Sequence, residues 1–127
     1  MKCRGLQVGD WCCDKHGFPM QITNVGEDYA YATFEGLEGD PWEFDDKNFP
    51  PCAIEITPEL LEANGWKETQ YWHEYQDGKN TIQCCLPDMR GRINGIEIEH
   101  FKCEYVHQYQ HLLRPCRLNE LADNFKV

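Results

Sequence analysis

Residues 57–66 read Thr57-Pro58-Glu59-Leu60-Leu61-Glu62-Ala63-Asn64-Gly65-Trp66. This stretch carries the signals for both ends of a helix. Thr57 is a favoured N-cap residue, and Pro58 suits the first helical position because its fixed φ already matches a helix. Asn64-Gly65 tolerates the left-handed conformation that ends many helices. The stretch therefore predicts a two-turn helix over residues 58–64, after which Trp66 folds back onto the helix.

The residues before this helix alternate between apolar and polar side chains in the manner of short β-strands. The alternation covers residues 6–13, 20–25 and 29–34, and residues rich in Gly, Asp and Pro separate these segments. Several short strands joined by tight turns are typical of an SH3-like small β-barrel or meander. Val8-Gly9-Asp10-Trp11 also resembles the opening of many such barrels.

The residues after the helix predict an antiparallel sheet. An Asp77-Gly78 turn within residues 71–86 is a strong hairpin signal. Residues 93–103 alternate isoleucine with glutamate and predict a third strand, preceded by a loop that carries Arg90 and Arg92.

The C-terminal residues change to a helical period. Apolar residues recur at three- and four-residue steps over residues 104–114, which predicts an amphipathic helix, and residues 118–125 predict a last short helix. The expected fold is therefore α+β, in a single compact domain over residues 1–127. We expect an SH3-like β module at 1–56, followed by a short helix, an antiparallel sheet and a C-terminal helix in an α+β module at 57–127 that shares its core.

The net charge of −10 is concentrated in one segment. Residues 26–62 contain eleven Asp and Glu residues and one basic residue, Lys47, whereas the rest of the chain is neutral. Such a segment repels the phosphates of duplex nucleic acid, so we expect no binding to it. The segment suits either a solvated face or the coverage of a basic protein surface. Its candidate partner-binding residues are Asp40, Trp42, Glu43, Asp45 and Asp46.

The eight cysteines do not form a recognisable metal or catalytic motif, because no Cys-x-x-Cys pair occurs. Cys103, His107 and His111 are spaced four apart, which leaves zinc as an alternative, but we expect packed, reduced thiols and no metal or cofactor. No nucleophile turn or glycine-rich phosphate loop accompanies them, so we do not expect an enzyme. The first residues have no apolar signal segment, and no window is apolar enough for a membrane helix, so we expect a cytoplasmic protein without a membrane partner.

A second candidate site combines cations with aromatic rings. Arg90 and Arg92, close to strands that carry Trp72 and Tyr75, would hold an anionic aromatic ligand by ion pairing and stacking. The alternative is a pair of exposed arginines with no ligand. The candidate ligand-binding residues are Arg90, Arg92, Trp72, Tyr75 and His107.

Three short motifs of the chain occur in a distinctive combination. These motifs are the Val-Gly-Asp opening, the Thr-Pro-Glu-Leu-Leu helix start and Tyr105-Val106-His107-Gln108-Tyr109-Gln110 near the end. They resemble small uncharacterised proteins of phages and mobile elements in Bacteroides-type gut bacteria. The resemblance implies an origin and an architecture, and it implies no activity.

These observations favour a non-catalytic phage-type accessory binding protein in the cytoplasm of a bacterial host cell. The leading hypothesis is that it counters a host defence system by sequestering a nucleotide-type immune signal. One alternative is an acidic inhibitor that covers a basic host protein surface, and another is a structural or regulatory phage protein with no small ligand. Either a monomer or a homo-oligomer is compatible with the sequence.

Overall fold

The computed structural model describes residues 1–70, 72–85, 90–98 and 104–127. The described residues form an α+β protein with two antiparallel sheets and three α-helices. The chain divides into two compact units, Met1–Ile54 and Glu55–Val127. This boundary lies two residues from the one expected between the two modules, whereas a core shared by both modules stays a prediction.

The first unit is a four-stranded antiparallel meander. Its strands are β1 (Trp11–Cys13), β2 (Pro19–Val25), β3 (Tyr29–Phe34) and β4 (Trp42–Asp45), which are hydrogen-bonded in that order. A 3-10 turn at Cys3–Gly5 precedes them. Among the described residues neither sheet of the protein closes on itself, so the meander is present and an SH3-like barrel is not confirmed.

One face of the meander forms the core of the first unit. Side chains alternate between the two faces of a strand, and the small residues of β3 lie opposite large ones on this face. Ala32 is paired with Ile22 of β2, and Ala30 with Phe44 of β4. The buried cluster comprises Cys3, Leu6, Cys12, Met20, Ile22, Ala30, Ala32 and Phe44. The two alanines leave room for the larger side chains on both neighbouring strands.

The second unit combines a five-stranded antiparallel sheet with three helices. Its elements are α1 (Pro58–Ala63), β5 (Lys67–Glu68), β6 (His73–Asp77), β7 (Asn80–Cys85), β8 (Arg90–Ile93), β9 (Ile96–Glu97), α2 (Val106–Leu113) and α3 (Asn119–Asp123). The strands are hydrogen-bonded in the order β5-β6-β7-β8-β9.

Helix α1 confirms the signals at both of its ends. The backbone N–H of Leu60 donates to the Thr57 hydroxyl over 3.1 Å, which is the expected N-cap bond. At the other end, the N–H groups of Gly65 and Trp66 donate to the carbonyls of Glu62 and Leu61, over 3.0 and 3.1 Å. This pair of bonds is a Schellman motif, and Gly65 takes the left-handed φ of 87° that the motif requires.

The Schellman motif turns the chain so that Trp66 packs into the core of the second unit. Its indole ring contacts Tyr75 of β6 and Tyr109 of α2, with ring centroids 5.7 Å and 5.3 Å away. Only 3% of Trp66 is exposed. A single side chain therefore packs between the sheet and helix α2, directly after the end of α1.

The prediction of one continuous third strand over residues 93–103 is wrong for the described part of this range. Strand β8 ends at Ile93, and Asn94 and Gly95 turn the chain into β9 with φ angles of 53° and 81°. An Asn-Gly pair favours this tight hairpin turn because both residues tolerate a positive φ. Residues 99–103 lie outside the described residues. The prediction of a loop that carries Arg90 and Arg92 is also wrong, because both residues belong to β8.

The two C-terminal helices occur within the ranges that the sequence predicted for them. Helix α2 is shorter than the predicted 104–114, and α3 lies inside the predicted 118–125. Buried Gln110 joins the two helices because its Nε2 donates to the Ala122 carbonyl over 2.9 Å. No helix in the described ranges combines the length and apolarity needed to cross a membrane.

Gly65→Ala tests the turn that positions Trp66. An added Cβ would lie 3.4 Å from the Tyr75 ring, and a non-glycine residue at this positive φ costs about 1–2 kcal/mol. We expect the free energy of unfolding in urea to fall by about that amount. Gly5→Ala is the control, because an added Cβ there has no neighbour within 4 Å. Equal effects of the two substitutions would contradict this role of Gly65.

Candidate functional site

The first unit has an open concave surface lined by aromatic side chains, which we call the aromatic groove. It consists of two adjoining cavities of about 490 Å³ and 390 Å³. Asp14, Phe34 and Trp42 line both cavities. The groove is further lined by Lys15, His16, Glu43, Phe44, Asn48, Phe49, Phe18, Glu35 and Leu37.

Several large apolar side chains of this groove are exposed. Trp42 is 62% exposed and Phe49 is 58% exposed, and Phe18 and Leu37 are exposed to a similar extent. The Phe34 ring contacts the Trp42 indole nearly perpendicularly, with ring centroids 6.1 Å apart. A contiguous exposed apolar patch is uncommon on a monomer and usually marks a binding surface.

The groove is a continuation of the buried face of the meander. Trp42 is paired with Ala32, and alternation places it on the same face of β4 as buried Phe44. Phe34 follows Ala32 on that face of β3 and contacts both Trp42 and Phe44. The apolar face therefore extends from the core to the surface at this end of β3 and β4.

Two carboxylates shape the turns at the rim of the groove. Asp14 Oδ1 accepts hydrogen bonds from the backbone N–H groups of His16 and Phe18, each over 2.9 Å. Asp45 Oδ1 accepts in the same way from Lys47 and Asn48, over 3.0 and 2.6 Å. These turns carry the exposed Phe18 and Phe49, so the two carboxylates hold part of the groove in place.

The predicted acidic partner-binding residues divide into two groups. Asp40, Trp42 and Glu43 are exposed, and Trp42 and Glu43 line the groove. Asp45 and Asp46 are half-buried and engaged with the backbone. Asp46 Oδ1 accepts the N–H of Cys3 over 2.7 Å, and this hydrogen bond is the main cause that lowers the pKa of the Asp46 carboxyl. The last two residues thus stabilise loops, whatever else they contact.

The second predicted site brings Trp72, Arg90 and Arg92 together. The guanidinium carbon of Arg92 lies 4.2 Å from the Trp72 ring centroid, and that of Arg90 lies 5.7 Å away. Both arginines reach the ring because alternate residues of β8 share one face. Both are also paired within the protein: Arg92 donates to Gln83 Oε1, and Arg90 forms a 3.2 Å ion pair with Glu97.

The two remaining predicted ligand-binding residues, Tyr75 and His107, contact other residues. Tyr75 is paired with buried Ile82 in the β6–β7 ladder and contacts Trp66. Glu74, the preceding residue, is paired with Gln83, whose side chain bonds to Arg92, so alternation places Tyr75 on the opposite face of the sheet. The His107 ring stacks on Tyr105 with centroids 6.0 Å apart.

The described cysteines are free thiols. Burial raises the pKa of Cys3 to about 12, and it also raises the pKa of Cys12 and Cys13. The thiolate form, which is the nucleophile, is therefore scarce at neutral pH for these three residues. The zinc alternative built on Cys103, His107 and His111 falls partly outside the described residues, since Cys103 is not among them.

Sequence reasoning missed most of the groove. Trp42 was singled out as an aromatic residue within the acidic segment, whereas Phe18, Phe34 and Phe49 were not. Phe18 and Phe49 each follow an Asp-initiated turn. A large aromatic residue that directly follows a turn signal is therefore a sign of an exposed ring. Which of these rings come together depends on the strand pairing.

No protein family matches this sequence, and neither a curated protein nor a solved structure matches it. Function is therefore inferred from the side chains of the chain itself.

Asp46→Ala tests the structural role of this carboxylate. The substitution removes the acceptor of the Cys3 N–H, so we expect a lower urea midpoint at pH 7 than for the unmodified chain. The folded-state pKa of Asp46 is below the unfolded value of about 3.9, so its stabilisation is complete above that pH and is lost as the pH falls through the folded-state pKa. The two midpoints should therefore converge in acid. Asp40→Ala, an exposed neighbour, should leave the midpoint unchanged at both pH values, and a loss as large as that of Asp46→Ala would contradict the assignment.

Proposed function

We propose that this chain is a non-catalytic binding protein that holds a basic protein segment through the aromatic groove. The observation that supports this proposal most directly is the 62% exposure of Trp42, which lines both cavities of the groove. An exposed indole is costly in water and is among the side chains that contribute most binding energy when a partner buries it. The groove would therefore take an apolar side chain of the partner as an anchor.

The charge around the groove supports a basic partner. Glu35 and Glu43 line the groove, and exposed Glu38 and Asp40 lie in the same connection between β3 and β4. Lys15 is the only lysine or arginine among the groove residues. A potential of one sign speeds the encounter with an oppositely charged partner, and the apolar contact then slows its dissociation.

The wider setting of this function is also part of the proposal. We take the chain to be a phage-type accessory protein of the bacterial cytoplasm that covers a basic surface of a host protein. An SH3-like relationship of the β1–β4 meander belongs to the same proposal, since that resemblance rests on the Val-Gly-Asp-Trp opening and the short strands. A structural or regulatory phage role with the same binding surface is the alternative setting.

A fluorescein-labelled peptide that alternates lysine with leucine is a suitable probe of the groove. We expect it to bind at low salt. Trp42→Ala should weaken binding by about 2 kcal/mol, which is roughly 30-fold, because the main apolar anchor site is lost. Asp40→Lys combined with Glu43→Lys should slow association and flatten its salt dependence. Fluorescence anisotropy and stopped-flow mixing measure the two effects.

Matched control variants separate these effects from those of losing any exposed aromatic residue or of changing the net charge. Tyr29→Ala removes an exposed aromatic residue of β3 that does not line the groove, and it should bind like the unmodified chain. Glu27→Lys combined with Glu59→Lys changes the net charge equally at exposed positions outside the groove lining. The proposal fails if the peptide does not bind, or if the control variants lose as much as Trp42→Ala and the Asp40–Glu43 double variant.

Sequestration of a nucleotide-type immune signal is the second candidate function. It is favoured by the Arg92 guanidinium 4.2 Å from the Trp72 ring, an arrangement that also stacks nucleobases and pairs with phosphates. Against it, Gln83 and Glu97 already engage the two arginines, so a ligand must displace those partners. We therefore place it after the groove.

A thermal-shift screen with mononucleotides and cyclic dinucleotides tests the second candidate. If a nucleotide raises the Tm, Arg92→Ala and Trp72→Ala should each abolish the rise, because one removes a charge and the other a stacking face. Arg114→Ala removes an arginine that is ion-paired with Asp123 and should keep the rise. A panel in which no nucleotide raises the Tm would rule this candidate out.

A further inference from the structure

Three potential metal ligands converge in the second unit, on elements that are separate in the sequence. Glu62 belongs to α1, Glu68 to β5 and His73 to β6. One ligand atom from each lies within 4.8 Å of the other two. Glu68 and His73 are directly paired across the β5–β6 ladder, and Glu62 reaches them from the last turn of the helix.

The histidine of this cluster is buried with an unsatisfied nitrogen. His73 is only 8% exposed, and its Nε2 atom has no hydrogen-bond partner among the described residues. The nearest acidic oxygen is Glu62 Oε1, 3.7 Å away, which is too long for a hydrogen bond. Buried nitrogen atoms are nearly always satisfied, so an orphaned one on a histidine whose ligand atom lies within 4.8 Å of two carboxylate oxygens indicates a missing partner.

We propose that Glu62, Glu68 and His73 bind a divalent transition-metal ion of the zinc class. Zinc bonds of about 2.0–2.2 Å to nitrogen and oxygen place tetrahedral ligand atoms roughly 3.3 Å apart. The present separations of up to 4.8 Å therefore need only a small movement of two exposed glutamate side chains. An imidazole ligand favours zinc over magnesium, and the fourth position would hold water.

The competing explanation is a simple ion pair between a protonated His73 and Glu62. It accounts for the contact at 3.7 Å but leaves Glu68 without a role in the cluster. The two explanations differ in measurable ways. The metal site requires both glutamates and a neutral histidine nitrogen, whereas the ion pair requires only Glu62.

Sequence reasoning could not find this site, because the intervals of six and five residues match no metal-binding motif. The three residues meet because the chain reverses after α1 and pairs β5 with β6. A bound ion would therefore connect helix α1 to the edge of the five-stranded sheet. Its binding free energy would add to the stability of the folded state.

Zinc titration of the full chain tests the proposal. We expect one zinc ion per chain by calorimetry and a higher Tm in its presence. Glu62→Gln and Glu68→Gln are both at exposed positions, and each should weaken zinc binding at least about tenfold because each removes a charged ligand. Glu59→Gln is the matched control on α1 and should bind zinc normally and keep the Tm rise. His73→Ala should abolish binding, and the two glutamate variants provide the test if that variant does not fold.

Cobalt(II) spectroscopy separates this site from the cysteines. Ligation by histidine and carboxylates gives visible d–d bands without a thiolate-to-metal charge-transfer band in the near ultraviolet. The proposal is overturned if zinc does not bind, if Glu68→Gln binds zinc as tightly as the unmodified chain, or if the thiolate band appears. It is also overturned if His107→Ala combined with His111→Ala abolishes binding while Glu62→Gln does not. Excess magnesium should not displace the bound ion.

Discussion

The packing of Trp66 between Tyr75 and Tyr109 is the interaction on which the second unit depends. It is possible only because helix α1 ends in a Schellman motif at Gly65, which turns the chain and directs the next residue inward. The ring then contacts the sheet through β6 and helix α2 through its central turn. The same reversal sets β5 beside α1, which brings Glu62 close to Glu68 and His73. One turn conformation therefore determines both the core and the proposed metal site.

The carboxylates of the first unit take different roles. Asp14, Asp45 and Asp46 accept backbone N–H bonds in or beside turns and so replace a regular ladder where the chain bends. The exposed acids around Trp42 make no such contribution, and their charge faces outward. Backbone hydrogen bonding and the proposed recognition of a basic partner thus involve neighbouring residues of the same type. Their positions relative to the turns, and not the charge itself, separate the two uses.

The two candidate binding surfaces differ in whether their side chains already have partners within the protein. In the aromatic groove, Trp42 and Phe49 keep most of their surface in water, and a partner would gain the free energy of burying them. Beside Trp72, the arginines have Gln83 and Glu97 as partners and cover the ring themselves. A ligand there must offset the loss of those bonds before it gains affinity. This asymmetry is the physical basis for ranking the groove first.

The sequence by itself determined the features that depend on near neighbours. The Thr57 cap, the Gly65 turn and the helical period of α2 involve residues a few positions apart, so local preference decides them. The Asn94-Gly95 reversal is local as well, because an Asn-Gly pair favours a two-residue hairpin turn, but the alternating isoleucines and glutamates beside it gave a competing signal for one continuous strand. Only the tertiary structure decided which residues converge. Strand register placed Trp72 with Arg92 and placed Tyr75 on the other face. It also brought Phe34 and Trp42 together in the groove and paired Glu68 with His73. Register decides which face each side chain occupies, because a shift of one residue moves every side chain of a strand to the other face, and the burial of one face selects among the registers that the alternating pattern allows.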